Sequence, residues 1–373
     1  MDDRELTVLS GAVIAYRLFD IADSIDLTRA ETLWTQRLRS AVSRGRLVSA
    51  PTKALAFGVA PLDIVLEPVT VVIDGVACVG EASVRLYEFG VARLALRFPA
   101  DSLAWGAFAQ RLNAIGRHVG PDEGTAIWRG MIDQVIAIFG TALIRPPKMM
   151  LEEDYLIGFV RAFDETLDAD TILRRLDLIP LLSGEERPLS EGARRDLLRQ
   201  RYSYYTDDLV VLTWDRAFVL EPRGDSDVMD VLDVANARLL EMRYYDQLLQ
   251  SELPLMYDLV EATQRARPVL GSRRFANLAR RLYTLVAEVT ELREKVDNAL
   301  LVTEDVYLAR VYTAALELFR VAAVSASVDR KLEMIRDTYT ALYEEASAGR
   351  AALMEAAIVV LIVIEIVLVF VHP

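Results

Sequence analysis

The sequence predicts an α+β N-terminal region followed by long α-helices with coiled-coil packing and one C-terminal transmembrane helix. Three features carry this expectation: β-rich runs interleaved with helical periodicity over the first 225 residues, sustained heptads up to residue 350, and an apolar tail. The expected segments are an α+β unit at 1–147, a second at 148–225, a helical stalk at 226–350 and an anchor at 351–371.

In the first unit, Thr7 to Phe19, Ile64 to Ile73, Val76 to Val79, Ser83 to Phe89 and Val91 to Phe98 read as strands. Asp74-Gly75 between two apolar runs is a strong hairpin signal, and Glu88-Phe89-Gly90 a weaker one. Helical periodicity covers Leu27 to Ala41, Ser102 to Arg117 and Gly124 to Leu143, and Pro146-Pro147 stops the chain. The second unit repeats this order loosely, with a strand at Asp154 to Phe163, helices at Ala169 to Leu176 and Ser190 to Gln200, and a hairpin pair at Leu209 to Thr213 and Ala217 to Leu220. Val13 to Asp20 (VIAYRLFD) resembles Leu156 to Asp164 (LIGFVRAFD), which suggests two stacked copies of a strand, helix and hairpin unit.

From Ser226 the pattern is helical, with Pro254 expected to kink the first helix. Phe275, Leu278, Leu282, Leu285, Val289, Leu292 and Val296 keep alternating three- and four-residue spacings, and Val328, Leu332, Ile335, Tyr339, Leu342, Ala346, Gly349 and Leu353 follow the same rule. The second run feeds into the anchor, which requires either a break near Asn298 in the earlier helix or a bend at Ala348-Gly349 in the later one, the bend being favoured by the weak helix propensity there.

Ala351 to Val371 contains no Lys or Arg, and as a helix it would span roughly 31 Å, close to the hydrocarbon thickness of a bilayer. Arg350 borders it on the side expected to face the cytoplasm. Glu355 and Glu365 interrupt the run and lie on roughly one side of the helix. A carboxylate at mid-bilayer costs roughly 2.5 kcal/mol or more, so these two residues are expected to mediate helix association within a homo-oligomer. The first residues carry acids before any apolar run, the wrong order for a secretory signal, so the bulk of the chain is expected in the cytoplasm and the anchor in the inner, or plasma, membrane.

The net charge of −13 argues against specific DNA binding, since phosphate neutralisation needs a cationic face. Cys78 is the lone cysteine and His118 and His372 the only histidines, which excludes disulfides within the chain and Cys/His metal sites. The sequence carries no phosphate-binding loop, dinucleotide fingerprint, nucleophile elbow or zincin helix, so no catalytic residue, metal or cofactor is expected. Arg265, Arg267, Arg273, Arg274, Arg280 and Arg281 lie between Glu261 and Glu288 with no acid among them, a block suited to anionic headgroups or RNA phosphates.

Trp214-Asp215, Glu221 and Asp225, then Asn236-Ala237-Arg238-Leu239-Leu240, and finally Leu353-Met354-Glu355 with Leu361-Ile362-Val363-Ile364-Glu365 resemble the YagE family, also called "required for meiotic nuclear division". The resemblance implies a bacterial-type member of a family whose eukaryotic members include mitochondrial inner-membrane proteins that support translation, through ribosome attachment. Ala356 departs from that pattern, which often has Trp after the Glu. The function expected is a non-enzymatic, membrane-anchored oligomeric scaffold or tether, with membrane lipid and a protein or ribosome as partners. The alternative is a channel or transporter subunit with the general layout of CorA-type magnesium channels, although the Gly-Met-Asn pore motif is absent.

Overall fold

A computed structural model describes residues 5–38, 42–44, 59–121, 123–147, 149–185, 187–224, 227–264, 277–287, 289–290 and 305–371. Two compact units emerge, one from Met1–Glu241 with Lys295–Ala322, the other from Met242–Glu294 with Ala323–Pro373. The helical region read as 226–350 is therefore divided between them.

The first unit is built on an eleven-stranded sheet. Its strands, with a separate two-stranded ribbon, run β1 (Thr7–Asp20), β2 (Ser24–Ile25), β3 (Val42–Arg44), β4 (Leu62–Val65), β5 (Val69–Ile73), β6 (Val76–Leu86), β7 (Val91–Pro99), β8 (Leu103–Ala104), β9 (Leu143–Ile144), β10 (Glu152–Phe163), β11 (Gln200–Tyr202), β12 (Leu209–Leu212) and β13 (Arg216–Leu220). The sheet order is β11-β12-β13-β10-β1-β7-β6-β4-β3, with β5 on β6 and β8 on β1, while β2 and β9 form the ribbon. Strands from 1–147 and from 148–225 thus join one continuous sheet. β1 lies near its middle, buried at every position from Gly11 to its end, so it reads as an apolar run rather than an alternation.

The two segments with matching sequence, in β1 and β10, lie side by side in antiparallel register, with Ile14 opposite Ile157 and Tyr16 opposite Tyr155. Each is flanked by the second strand of a hairpin, yet β7 runs antiparallel to β1 and β13 runs parallel to β10. The halves share element order but not pairing sense, so they are not superposable copies.

Turn chemistry places the hairpins where expected. Asp74 (φ 48°) and Gly75 (φ 81°) close β5 onto β6 as a two-residue turn with both central residues left-handed. Gly90 (φ 102°) closes β6 onto β7, and a Cβ there would sit 1.6 Å from the Ala22 carbonyl oxygen. The run Ile64 to Ile73 is split into β4 and β5 by Glu67-Pro68, since proline has no N–H for a ladder.

Helices cover the sheet. On one face α1 (Leu27–Leu38), α2 (Trp105–Val119), α3 (Thr125–Phe139), α4 (Ala169–Arg175) and α5 (Ile179–Ser183) share a core with Val13, Leu94, Leu96, Leu156 and Phe218. The short α6 (Glu191–Leu197) follows. α7 (Val228–Gln264) carries Asp230 and Asp233 against the opposite face, and Pro254 lies inside this helix without ending it. α8 is formed by residues 277–287. α9 (Val306–Leu318), capped by Asp305, belongs to the first unit, where Phe319 just after it meets the Tyr155 ring edge-on at 5.5 Å.

In the second unit the heptad positions Leu278, Leu282, Val289, Val328 and Ile335 are buried, together with Leu249 and Met256, whereas Leu285, Leu332 and Tyr339 are half-buried. Lys331 of α10 (Val321–Val371) ties onto α7 through the Asp246 carboxylate (2.9 Å) and carbonyl (3.0 Å). α10 continues as helix through Ala348-Gly349. Among the described residues no single helix is long and apolar enough to cross a membrane, and the apolar part of α10 that is described is Ala357–Ile366.

Candidate functional site: a buried arginine–aspartate cluster

The most concentrated chemistry in the first unit lies between the sheet and the start of α7. Asp63 of β4, Arg85 of β6 and Arg93 of β7 occupy one row across three strands, since Asp63 pairs with Arg85 and Arg85 with Arg93. Two arginines directly opposite each other repel, so this row requires an anion. α7 supplies two. Asp230 and Asp233, three residues apart, project from one helical face onto the row.

Arg85 grips Asp63 with both ends of its guanidinium, Nε to Oδ1 at 2.6 Å and Nη2 to Oδ2 at 3.2 Å, and pairs through Nη1 with Asp230. Asp233 Oδ2 accepts from Arg93 Nε at 2.9 Å and lies 3.5 Å from both Arg85 Nη1 and Tyr87 Oη. Arg93 also stacks on the Tyr16 ring at 4.8 Å. The Asp233 side chain is 1% exposed. Its Oδ1 is buried without a hydrogen-bond partner among the described residues.

Burial pushes the Asp233 carboxyl up, and Arg93 and Arg85 only partly offset this. For Arg93, burial is the largest influence and opposes the charge, but Asp233 together with Tyr16 and Tyr87 holds the guanidinium above its ordinary value. Burial is also the main reason the Tyr16 and Tyr87 hydroxyls are pushed up, with Asp233 adding to it. The two tyrosine hydroxyls and the Arg93 guanidinium are thereby moved further from neutrality. The arrangement is chemically a clamp: two cations and three carboxylates that orient α7 on the sheet.

On the other face of the sheet Arg17 lies over the Trp128 ring at 5.6 Å and donates to Glu152 Oε1 at 3.2 Å. At the end of β1, burial, reinforced by Asp23, pushes the Asp20 carboxyl up to about 7.

The residues singled out in the sequence are dispersed. Trp214 is 72% exposed in the turn between β12 and β13. Asp215 beside it pairs with Arg216 at 3.5 Å, and burial raises its carboxyl. Asn236 and Leu239 are buried in α7, where Asn236 Nδ2 donates to the Leu232 carbonyl at 3.0 Å, and Arg238 is half-buried. Of the arginine block, Arg265, Arg267, Arg273 and Arg274 lie outside the described residues. Arg280 and Arg281 are exposed on α8, and Arg281 pairs with Glu252 at 3.0 Å. Glu355 and Glu365 are exposed on α10. Asp168 caps α4 by accepting from Thr171 N, and Asp208 accepts from Tyr204 N.

The clamp escaped the sequence reading. Arg85 and Arg93 fall at alternate positions of β-rich runs, where a charged residue ordinarily marks a solvated face. The available signal was on the helix: two aspartates three apart in the otherwise apolar stretch Val228 to Ala235.

Residues 10–227 match the family model described as "Uncharacterized protein MJ0711, N-terminal domain". The match does not carry the YagE description that the motifs suggested. A relative of that name, from Methanocaldococcus jannaschii, is 27% identical over 209 residues, which cover 55% of this chain and 63% of the relative. No solved structure matches the chain.

Proposed function

We propose, from the premise that the chain belongs to the family of the MJ0711 N-terminal domain, that it is a non-catalytic scaffold whose α+β head is held at a membrane by its C-terminal helix. The observation that carries this reading is on α10. Ile358, Val359, Val360, Leu361, Ile362, Val363, Ile364 and Ile366 are each 48–63% exposed, although they are consecutive or nearly so and point to every side of the helix. Covering a large aliphatic side chain is worth about 1.5–3 kcal/mol, so eight of them left bare in water is a strong drive toward an apolar environment. A bilayer supplies one on all sides at once. The chain from Ala351 to Val371 has the length to enter it, and the head stays on the side where Arg350 lies.

The clamp supports the scaffold part of the reading, because it fixes the base of α7 to the sheet with buried charge rather than presenting a reactive group. The partner held by the head is proposed to be a protein, and a ribosome is the version that the YagE-like motifs imply. Flotation with phosphatidylcholine vesicles tests the anchor. The full chain is expected to float, and a chain lacking residues 354–373 is expected to stay at the bottom of the gradient. Recovery of the full chain in the bottom fraction would remove the anchor. Affinity capture from native membranes with ribosomal proteins enriched would support the ribosomal version of the tether.

A further inference from the structure

We infer that a tyrosine patch at the β11 edge of the sheet takes the arginine or lysine side chains of a basic segment from a partner protein. The inference rests on the reading of the head as the holder of a protein, and names the surface and the chemistry of what it holds. Tyr204 and Tyr205, in the turn between β11 and β12, are 60% and 45% exposed, and Tyr307 of α9 lies against Tyr204. The Tyr204 ring stands at 90° to that of Tyr205, with centroids 4.8 Å apart, and at 52° to that of Tyr307, with centroids 5.4 Å apart. Rings set at such angles turn faces of different orientation toward one region, which is how aromatic side chains surround a cation.

The chain already stacks cations on part of this patch. Arg223 lies over the Tyr205 ring at 4.1 Å, and Arg310, three residues along α9 from Tyr307, lies over the Tyr202 ring at 5.6 Å. Among the described residues no cation lies over Tyr204 or Tyr307. Charge favours filling those two rings in the same way. Burial pushes the Tyr307 hydroxyl up, and Asp208, Glu221 and Asp305 add to it against the opposing Arg310. Asp207 lies near Arg223. These four carboxylates outnumber the two stacked arginines. Three of them are fixed before any ligand arrives, since Asp208, Glu221 and Asp305 accept from the backbone N–H groups of Tyr204, Arg223 and Tyr307. Such a surface, on a chain of net charge −13, repels a phosphate backbone and steers a basic peptide toward the rings.

Titrating the full chain, with neutral phosphatidylcholine vesicles, against a fluorescent peptide of alternating arginine and glycine tests this by anisotropy. Saturable binding is expected for the parent and for Tyr204→Phe, which keeps the ring. Tyr204→Leu, at an exposed position, and Tyr307→Leu leave the net charge unchanged and are each expected to weaken binding about fivefold. Binding to Tyr204→Leu as tight as to the parent would reduce the attraction to diffuse charge and overturn the inference. Tighter binding of an alternating glutamate and glycine peptide, or of a uridine oligonucleotide, would overturn it too and assign the patch to an anionic partner. Flotation of the same samples separates the two readings. A chain that floats without binding the arginine peptide keeps the anchor and loses the patch. One that binds the peptide through Tyr204 without floating keeps the patch and loses the anchor.

Discussion

Asp233 stands between two arginines that face each other across β6 and β7, so its removal does more than delete hydrogen bonds. Asp233→Ala leaves Arg93 buried without its carboxylate and is expected to cost about 3–5 kcal/mol, read as a fall in the urea midpoint of the first unit. The double variant Asp233→Leu with Arg93→Met removes both charges and is expected to recover most of that loss. Should the double variant be as unstable as the single one, shape rather than charge holds α7 there. Asp20 gives a pH signature of opposite sense to a salt-bridged carboxylate. Its folded-state value near 7 lies above the ordinary carboxylate range, because burial and Asp23 favour the protonated form. The native state therefore holds the proton more tightly than the unfolded chain. The resulting stability is complete below about pH 4 and is lost as pH rises through 7, at about 1.4 kcal/mol per unit. Asp20→Asn is neutral throughout, so its stability relative to the parent is expected to improve between those limits in urea titrations run at successive pH values.

At the scale of elements, local chemistry was legible in the sequence where a turn dictates it, and pairing partners were not. Asp74-Gly75 is sufficient to place a hairpin because few other residue pairs hold both central positions left-handed. Pro68 divides a run that composition alone makes continuous. The parallel junction of β10 with β13 and the position of β1 at mid-sheet depend on contacts far apart in sequence, which periodicity does not encode. The clamp was lost for the same reason: each of its residues is unremarkable until β4, β6, β7 and α7 converge. Two glycines separate backbone requirement from helix propensity. Gly90→Ala would drive a methyl into the Ala22 carbonyl at a positive φ and is expected to destabilise the first unit by more than about 2 kcal/mol. Gly130, exposed within α3 with nothing near its missing Cβ, is expected to give a gain of about 0.5–1 kcal/mol on Gly130→Ala. Thermal melts of the two variants should move in opposite directions.

At the scale of the whole molecule, charge and apolarity make opposite demands on a membrane. The net charge of −13 repels an anionic surface, and Arg281 of the arginine block is paired with Glu252. Electrostatic attachment would therefore be weak and would vanish as salt shortens the Debye length. Attachment through α10 obeys different rules, because apolar burial does not depend on ionic strength. The chain is accordingly expected to bind neutral phosphatidylcholine vesicles as well as anionic ones, with little change between about 0.05 and about 0.5 M salt. Ile362→Lys places a cation in the middle of the exposed apolar run, at about 2.5–3.5 kcal/mol on insertion scales, and is expected to weaken vesicle partition by about two orders of magnitude. The head's urea midpoint should be unchanged by it, since α10 beyond Ala323 belongs to the second unit. Binding that requires anionic lipid and disappears in high salt would assign the attachment to the arginines instead, and Ile362→Lys would then leave it intact.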